Sequence, residues 1–227
     1  MEKQLSKRLE AVASYVPSQA RLLDVGSDHA YLPIALVEQG QIDYAIAGEV
    51  VLGPYLQAKG NVEAHDVADK ISVRLADGLA AFELSDAVTC ITICGMGGRL
   101  ITEILAAGLP KLKGVERLIL QANNREDDLR VWLSQQDFQI VDEMIIKEHG
   151  KYYEIMVVEH GQMQLDDKDV RFGPYLRQEQ NPIFKERWRL EHDKLQVALE
   201  RIPSDKLLEK ERLESKIQMI KEVVDEG

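Results

Sequence analysis

The chain carries 227 residues, 45% of them apolar and 30% charged, with a formal net charge of −11. The apolar share excludes wholesale disorder, and no apolar run approaches the roughly 20 residues that a membrane-spanning helix needs. The acidic balance excludes a protein that is basic over its whole surface, so a nucleic-acid partner would have to meet a local patch.

In chain order, Leu5, Leu9, Val12 and Ala13 share one face of a predicted amphipathic helix over residues 3–15. Arg21–Val25 reads as a first strand and Tyr31–Gln39 as a helix ended by Gly40. Tyr44–Glu49 is a second strand, Pro54–His65 a helix and Ile71–Leu75 a third strand. Val88–Cys94 is almost wholly apolar, as a central buried strand should be. Gly95–Met96–Gly97–Gly98 then opens a helix that ends near Gly108. Arg117–Gln121 and Arg125–Gln135 make a fifth strand–helix unit, and Phe138–Ile146 and Tyr152–Glu159 form a hairpin around His149–Gly150. Five strand–helix units imply a parallel sheet, and a closing hairpin adds an antiparallel strand. The expected strand order is 3-2-1-4-5-7-6.

Near Gly161 the pattern changes. Gly161–Asp169 reads as a polar linker and Phe172–Tyr175 as a turn. Phe184, Trp188, Leu195, Leu199 and Ile202 recur at heptad-like spacing, Pro203–Asp205 breaks the run with Ser204 or Asp205 as N-cap, and Leu213, Ile217, Ile220 and Val224 follow. This predicts an antiparallel helical hairpin, hence domains over residues 1–161 and 162–227. Arg171, Arg177, Lys185, Arg187 and Arg189 stand against two acids in their segment, a local basic patch. Cys90 and Cys94 lie four apart in one predicted strand and face the same way, so no disulfide is expected between them. No other Cys or paired His sits at ligand spacing, so no metal is expected. The N-terminus lacks the apolar core of a signal peptide, and the expected setting is the cytoplasm.

The stretch Leu22–Leu32 passes from strand to helix across Gly26. It lacks the G-x-G-x-x-G of a dinucleotide site, and Asp28 would repel a diphosphate from the helix start. A neutral or cationic ligand fits better, and S-adenosylmethionine carries a sulfonium and no phosphate. Asp28 as a plain N-cap is the other reading. Glu49 ends strand two, where an acid accepts from ribose hydroxyls, and Asp77–Gly78 follows strand three, where a carboxylate suits an adenine amino group. A solvated strand end and an ordinary Asp-Gly turn are the alternatives. All three positions fall at strand carboxyl ends and would line one crevice. Gly95–Gly98 offers backbone amides and room for a flat base, or simply close helix packing. Gln121–Asn124 carries amides able to read a base edge, or to cap a helix. Tyr152 or Tyr153 could stack on a base or pack in the core, and His29 is an acid/base candidate or a structural histidine.

Taken together the chain resembles the class I, Rossmann-like methyltransferases, and more closely the bacterial tRNA (adenine(22)-N1)-methyltransferase family, TrmK. The resemblance rests on Leu23–His29, Gly48–Glu49–Val50, Ala76–Leu79, Gly95–Gly98, Gln121–Asn124 and Gly150–Glu154, and runs through Phe172–Gly173–Pro174 into the tail. It implies an enzyme that uses S-adenosyl-L-methionine to methylate N1 of adenine 22 in tRNA, with a C-terminal coiled coil that helps hold the RNA. It implies cofactor contacts at Asp24, Gly26, Ser27, Glu49, Val50, Asp77, Gly78, Cys94, Gly95 and Met96, with Asp28 and His29 catalytic. Substrate contacts fall to Gly97, Gly98, Asn123, Asn124, Tyr153 and the five basic residues of the tail. The chain has Asp28 and Ala30 where the general pattern has glycines, and it lacks the Asn/Asp-Pro-Pro-Tyr motif of exocyclic-amine enzymes, which points away from N6. A methyltransferase for another RNA, a protein or a small molecule, and a non-catalytic adaptor built on the same scaffold, are the rival readings.

Overall fold

Strands covered on both faces need apolar residues throughout, and β1 (Arg21–Val25), β2 (Tyr44–Glu49), β4 (Cys90–Met96) and β5 (Arg117–Ala122) are such runs. In the computed structural model, which describes residues 5–203 and 205–225, they pair in parallel, with β3 (Ile71–Leu75) beside β2. β7 (Lys151–His160) joins β5 antiparallel and β6 (Phe138–Glu148) closes the edge. The order is β3-β2-β1-β4-β5-β7-β6, as expected. Helices α1 (Lys7–Tyr15), α2 (Tyr31–Glu38), α3 (Leu52–Ala64), α4 (Gly98–Ala107) and α5 (Glu126–Gln135) cover the sheet. Alternation along β1 feeds two layers: Leu22 packs with Val12, Leu32 and Ile119, and Leu23 with Ile46, Ile91 and Leu105. Each such side chain contributes about 1.5–3 kcal/mol by leaving water. Cys90 and Cys94 both belong to the Leu22 layer, and both are free thiols.

Several boundaries differ from expectation. β4 runs to Met96, because Gly95 (φ +77°) forms a bulge that carries the strand past Cys94. The glycine stretch is therefore split between strand and helix, Gly97 is the N-cap and α4 starts at Gly98. α1 starts at Lys7, with the Ser6 hydroxyl accepting from the Leu9 amide; positions 3 and 4 of the predicted helix lie outside the described residues. α3 begins at Leu52, ahead of Pro54, which is tolerated in a first turn.

The chain divides into two compact units, Met1–Gln164 and Leu165–Gly227. The second contains α6 (Asp167–Phe172), α7 (Pro174–Glu179), α8 (Pro182–Glu200) and α9 (Leu207–Asp225). α6 starts in the stretch expected to be linker and ends at Phe172, the first residue of the expected turn: its apolar positions are few, but Asp166 and Asp169 form a capping box that holds its first turn. α8 and α9 pack together as the expected hairpin. Phe184, Trp188, Ile217, Ile220 and Val224 are buried, while Leu195, Leu199, Ile202 and Leu213 are half-buried. Phe172 meets Trp188 edge-on with ring centroids 4.5 Å apart. Of the two proposed caps at the helical break, Asp205 is exposed and Ser204 lies outside the described residues.

Candidate active site

At the carboxyl end of β1 the chain turns at Gly26 (φ +65°), whose amide donates to the Gly48 carbonyl at 2.9 Å. The positive φ favours glycine here, and a side chain would also have to displace the Met96 methyl group. Asp24 and Ser27 are buried beside it. The Asp24 carboxylate accepts from the Ser27 hydroxyl and the Thr92 hydroxyl, each at 2.6 Å. Burial pushes its pKa up, and those two hydrogen bonds pull it part of the way back.

Asp28, His29 and Ala30 then take positive φ in succession, at 43°, 71° and 59°. Left-handed backbone costs a residue with a side chain about 1–2 kcal/mol, so neighbours must hold the turn. Glu49 Oε1 accepts from the Asp28 amide at 2.7 Å, and the Asn61 side-chain amide donates to the His29 carbonyl at 2.9 Å. The Asp28 side chain remains 81% exposed, with one carboxylate oxygen 3.4 Å from His29 Nε2. Ala30 occupies the α2 N-cap with no side-chain hydrogen bond, so Asp28 is not a cap. Glu49 is buried, which raises its pKa, while the Asp28 amide opposes the shift. Its second oxygen has no partner among the described residues. It therefore keeps one carboxylate oxygen uncommitted.

Across the crevice, the β4 and β5 ends are knitted together. Asn123 donates its side-chain amide to the Gly95 carbonyl and its backbone amide to the Met96 carbonyl, both at 2.7 Å. Gln121 is fully buried; its oxygen accepts from the Gly95 amide and from Arg8 Nη1, each at 3.0 Å, and its nitrogen donates to Ala122 and Asn123. Its amide is committed to the protein and reads no base. Asn124 accepts at its carbonyl from the Gly98 amide at 2.8 Å. Gly98 is buried with no room for a side chain against the Arg125 carbonyl, so it serves loop packing and does not face a substrate. Arg125, in left-handed conformation, is the α5 N-cap, so neither Asn123 nor Asn124 has that role.

These loops enclose a cavity of about 350 Å³. Asp24, Gly26, Ser27 and Asp28 line one side, and Cys94, Gly95, Met96, Asn123 and Tyr153 the other. Arg8 and Leu9 of α1 complete it, with the Arg8 guanidinium 5.8 Å from the Tyr153 ring centre. Arg8 escapes sequence reading, because its partner Gln121 is far along the chain; the one visible signal is a Gln at the end of an apolar strand. Asp77 and Gly78 do not line this space. They border a second cavity of about 610 Å³ with Leu100, Ile104 and Lys111. The residues expected in a single crevice are thus spread over two cavities with no lining residue in common, and Glu49 lines neither; the 3-10 turn that starts at Gly78 packs onto α4. Val50 is 63% exposed beyond Glu49, and Gly97 lies against the Asn124 side chain. Burial pushes the Cys94 thiol well above its usual range, so it is no nucleophile.

In the second unit, Arg171 and Arg187 place their guanidinium groups 5.1 and 5.2 Å from the Trp188 ring. Lys185 and Arg189 line a shallow surface depression. Arg177 departs from the expected patch: it bonds Asp166 and Asp169 at 2.9 Å, and its charge is offset there. Among the described residues no three His, Cys, Asp or Glu side chains converge as a metal site requires, and no helix is long and apolar enough to cross a membrane.

Residues 22–222 match the family model described as tRNA (adenine(22)-N(1))-methyltransferase. The chain is 41% identical to the Bacillus subtilis tRNA (adenine(22)-N(1))-methyltransferase, over 100% of this chain and 99% of that one. The crystal structure of the B. subtilis m1A22 tRNA methyltransferase TrmK is 39% identical, with TM-score 0.90 over 98% of this chain and 100% of that one. The structure of Streptococcus pneumoniae Sp1610 in complex with S-adenosyl-L-methionine is 62% identical, with TM-score 0.92 over 97% of this chain and 100% of that one.

Proposed function

The chain belongs to the tRNA (adenine(22)-N(1))-methyltransferase family, and from that premise we propose that it transfers the methyl group of S-adenosyl-L-methionine to N1 of adenine 22 in tRNA. The observation that carries this reading is the acid-lined turn at Gly26. Asp24, Asp28 and Glu49 surround a loop whose field repels a diphosphate and favours a cationic ligand. Bound there, S-adenosyl-L-methionine supplies a methyl group activated by its sulfonium charge.

The chain's own residues divide the rest of the work. Gly26 and Gly95 leave space for close approach, with Ser27, Cys94 and Met96 as the wall. The uncommitted Glu49 oxygen accepts a ribose hydroxyl. Asp77, Gly78 and Val50 serve the adenine end. Arg8, the cation in the wall, suits a carboxylate of the ligand's amino-acid end. Adenine N1 has an in-plane lone pair and needs no prior deprotonation, so alignment and exclusion of water are the main requirements. Position 22 lies in folded tRNA, and the base must leave its stack to reach the cavity. The methylated base gains positive charge. Asp28, exposed at the mouth, stabilises that charge or takes a proton from the 6-amino group, with His29 beside it. Tyr153, Asn123, Asn124 and Gly97 flank the base. Arg171, Lys185, Arg187 and Arg189 of the second unit meet phosphates, and a tRNA substrate implies the cytoplasm.

The test is nucleoside analysis of unmodified tRNA after incubation with the chain and cofactor. The expected product is 1-methyladenosine. N6-methyladenosine, or no methylated adenosine, overturns the proposal.

A further inference from the structure

The main unit carries a set of cations that the function described so far does not use. β6 and β7 meet in a two-residue turn, His149–Gly150, with both φ positive (47° and 75°), which is the stiff form of hairpin turn. The last β5–β7 pair is Ala122 with Glu154. Lys151 lies three residues further out, so the tip projects about 10 Å past the carboxyl end of β5, beside the Gln121–Asn124 loop. Lys151 shares a face of β7 with Tyr153, which lines the cofactor cavity. Lys147 lies on the other face, its ammonium 5.3 Å from the Tyr152 ring centre. Glu148, paired across the hairpin with Lys151, accepts the Lys7 backbone amide at 2.7 Å and so brings the start of α1 to the tip.

Lys7, Lys147 and Lys151 are all exposed. Lys7 and Lys151 flank Glu148 through the Lys7 backbone amide and the cross-strand pair, and Lys147 stands on the opposite face of the hairpin; Arg8, next to Lys7, lines the cavity wall. Tyr152 and Tyr153 interleave with them. Cations with interleaved aromatics beside a pocket are what a nucleic-acid strand delivering one base would require. From the Asp28–Glu49 side the crevice presents acids, so a phosphate chain is steered to the opposite rim.

We infer that Lys7, Lys147 and Lys151, spread over both faces of the β6–β7 hairpin tip, hold phosphates of the tRNA next to the target adenosine. This rests on the tRNA methyltransferase reading. Its test compares the wild-type chain with the triple variant K7Q/K147Q/K151Q and with a control pair, K59Q/K70Q, on α3 and ahead of β3. Methyl transfer to unmodified tRNA is followed over a salt series, with cofactor affinity and melting temperature measured on each protein. The triple variant should raise the KM for tRNA roughly tenfold and reduce the slope of log KM against log salt by about 2–3, close to one unit for each phosphate no longer neutralised. Cofactor affinity and melting temperature should hold, and the control pair should match wild type. An unchanged KM and slope in the triple variant, an equal rise in the control pair, or a loss explained by weaker cofactor binding overturns the inference. Wild-type protein that methylates no tRNA overturns the functional reading itself, and the role of the three lysines with it.

Discussion

The chemistry proposed for Asp28 falls on backbone that its own side chain disfavours. Its φ of +43° is tolerable because Glu49 and Asn61 hold the turn from outside. Replacing Asp28 with Ala removes an exposed carboxylate and no buried group. Methyl transfer should fall about 10²-fold or more, while cofactor affinity by calorimetry stays near wild type; wild-type turnover would remove Asp28 from the chemistry. Burial raises the pKa of Asp24 and of Glu49. Between the ordinary carboxylate range, about 4, and those raised values, the folded chain binds more protons than the unfolded chain. These two groups therefore favour folding most at acid pH, and that contribution is lost as pH rises through the raised values. The proposed cofactor binding runs the other way, since in that proposal the ionised carboxylates are the acceptors. Affinity should weaken on acidification while free carboxylates are still charged, and Glu49→Gln should flatten the dependence. An affinity constant over that range contradicts the assignment. Gly26, Asp28 and Glu49 were legible in sequence because each follows a strand. Arg8 was not, since its hydrogen bond to Gln121 joins the first helix to the fifth strand, and Gln121, legible as an amide that could read a base, is committed to the protein.

At the scale of elements, α5, β6 and β7 are pinned by one buried ion cluster. Arg130 on α5 donates to Glu143 of β6 at 2.8 and 3.0 Å and to Glu154 of β7 at 2.6 Å, all three side chains essentially without solvent. Burial alone would depress the guanidinium pKa, and the two carboxylates hold it above its ordinary value. Arg130→Leu takes the guanidinium away from two buried carboxylates and should cost about 3–5 kcal/mol in urea denaturation. A loss below about 1 kcal/mol would mean that the cluster does not hold the edge of the sheet. Glu154 thus owes its place in the Gly150–Glu154 motif to packing, while its neighbour Tyr153 reaches the cavity. The strands were readable because each is an apolar run of its own. α6 was not: its six residues run from the expected linker into the expected turn, and the Asp166–Asp169 capping box supplies what apolar periodicity does not. The end of β4 was misplaced for a related reason, since Gly95 reads as a strand terminator but forms a bulge within it.

For the whole molecule, the proposed polyanionic substrate is reconciled with a net charge of −11 through cations confined to small areas. One area, on the second unit, was visible as a run of sequence, although Arg177 is committed to Asp166 and Asp169. The other exists only once Lys7 and Lys151 are brought together. The strand order followed from counting strand–helix units, whereas the spread of the expected crevice residues over two cavities, with the Gly78 turn packed onto α4, was not legible there. The most direct measurement of the central claim is positional. Unmodified tRNA with adenine at position 22, and the same tRNA with guanine there, are incubated with the full chain and S-adenosyl-L-methionine, then digested and mapped by mass. The account predicts a single N1-methyl group on the fragment holding adenine 22 and none on the guanine variant. Methylation at another position, or undiminished in the guanine variant, would contradict it.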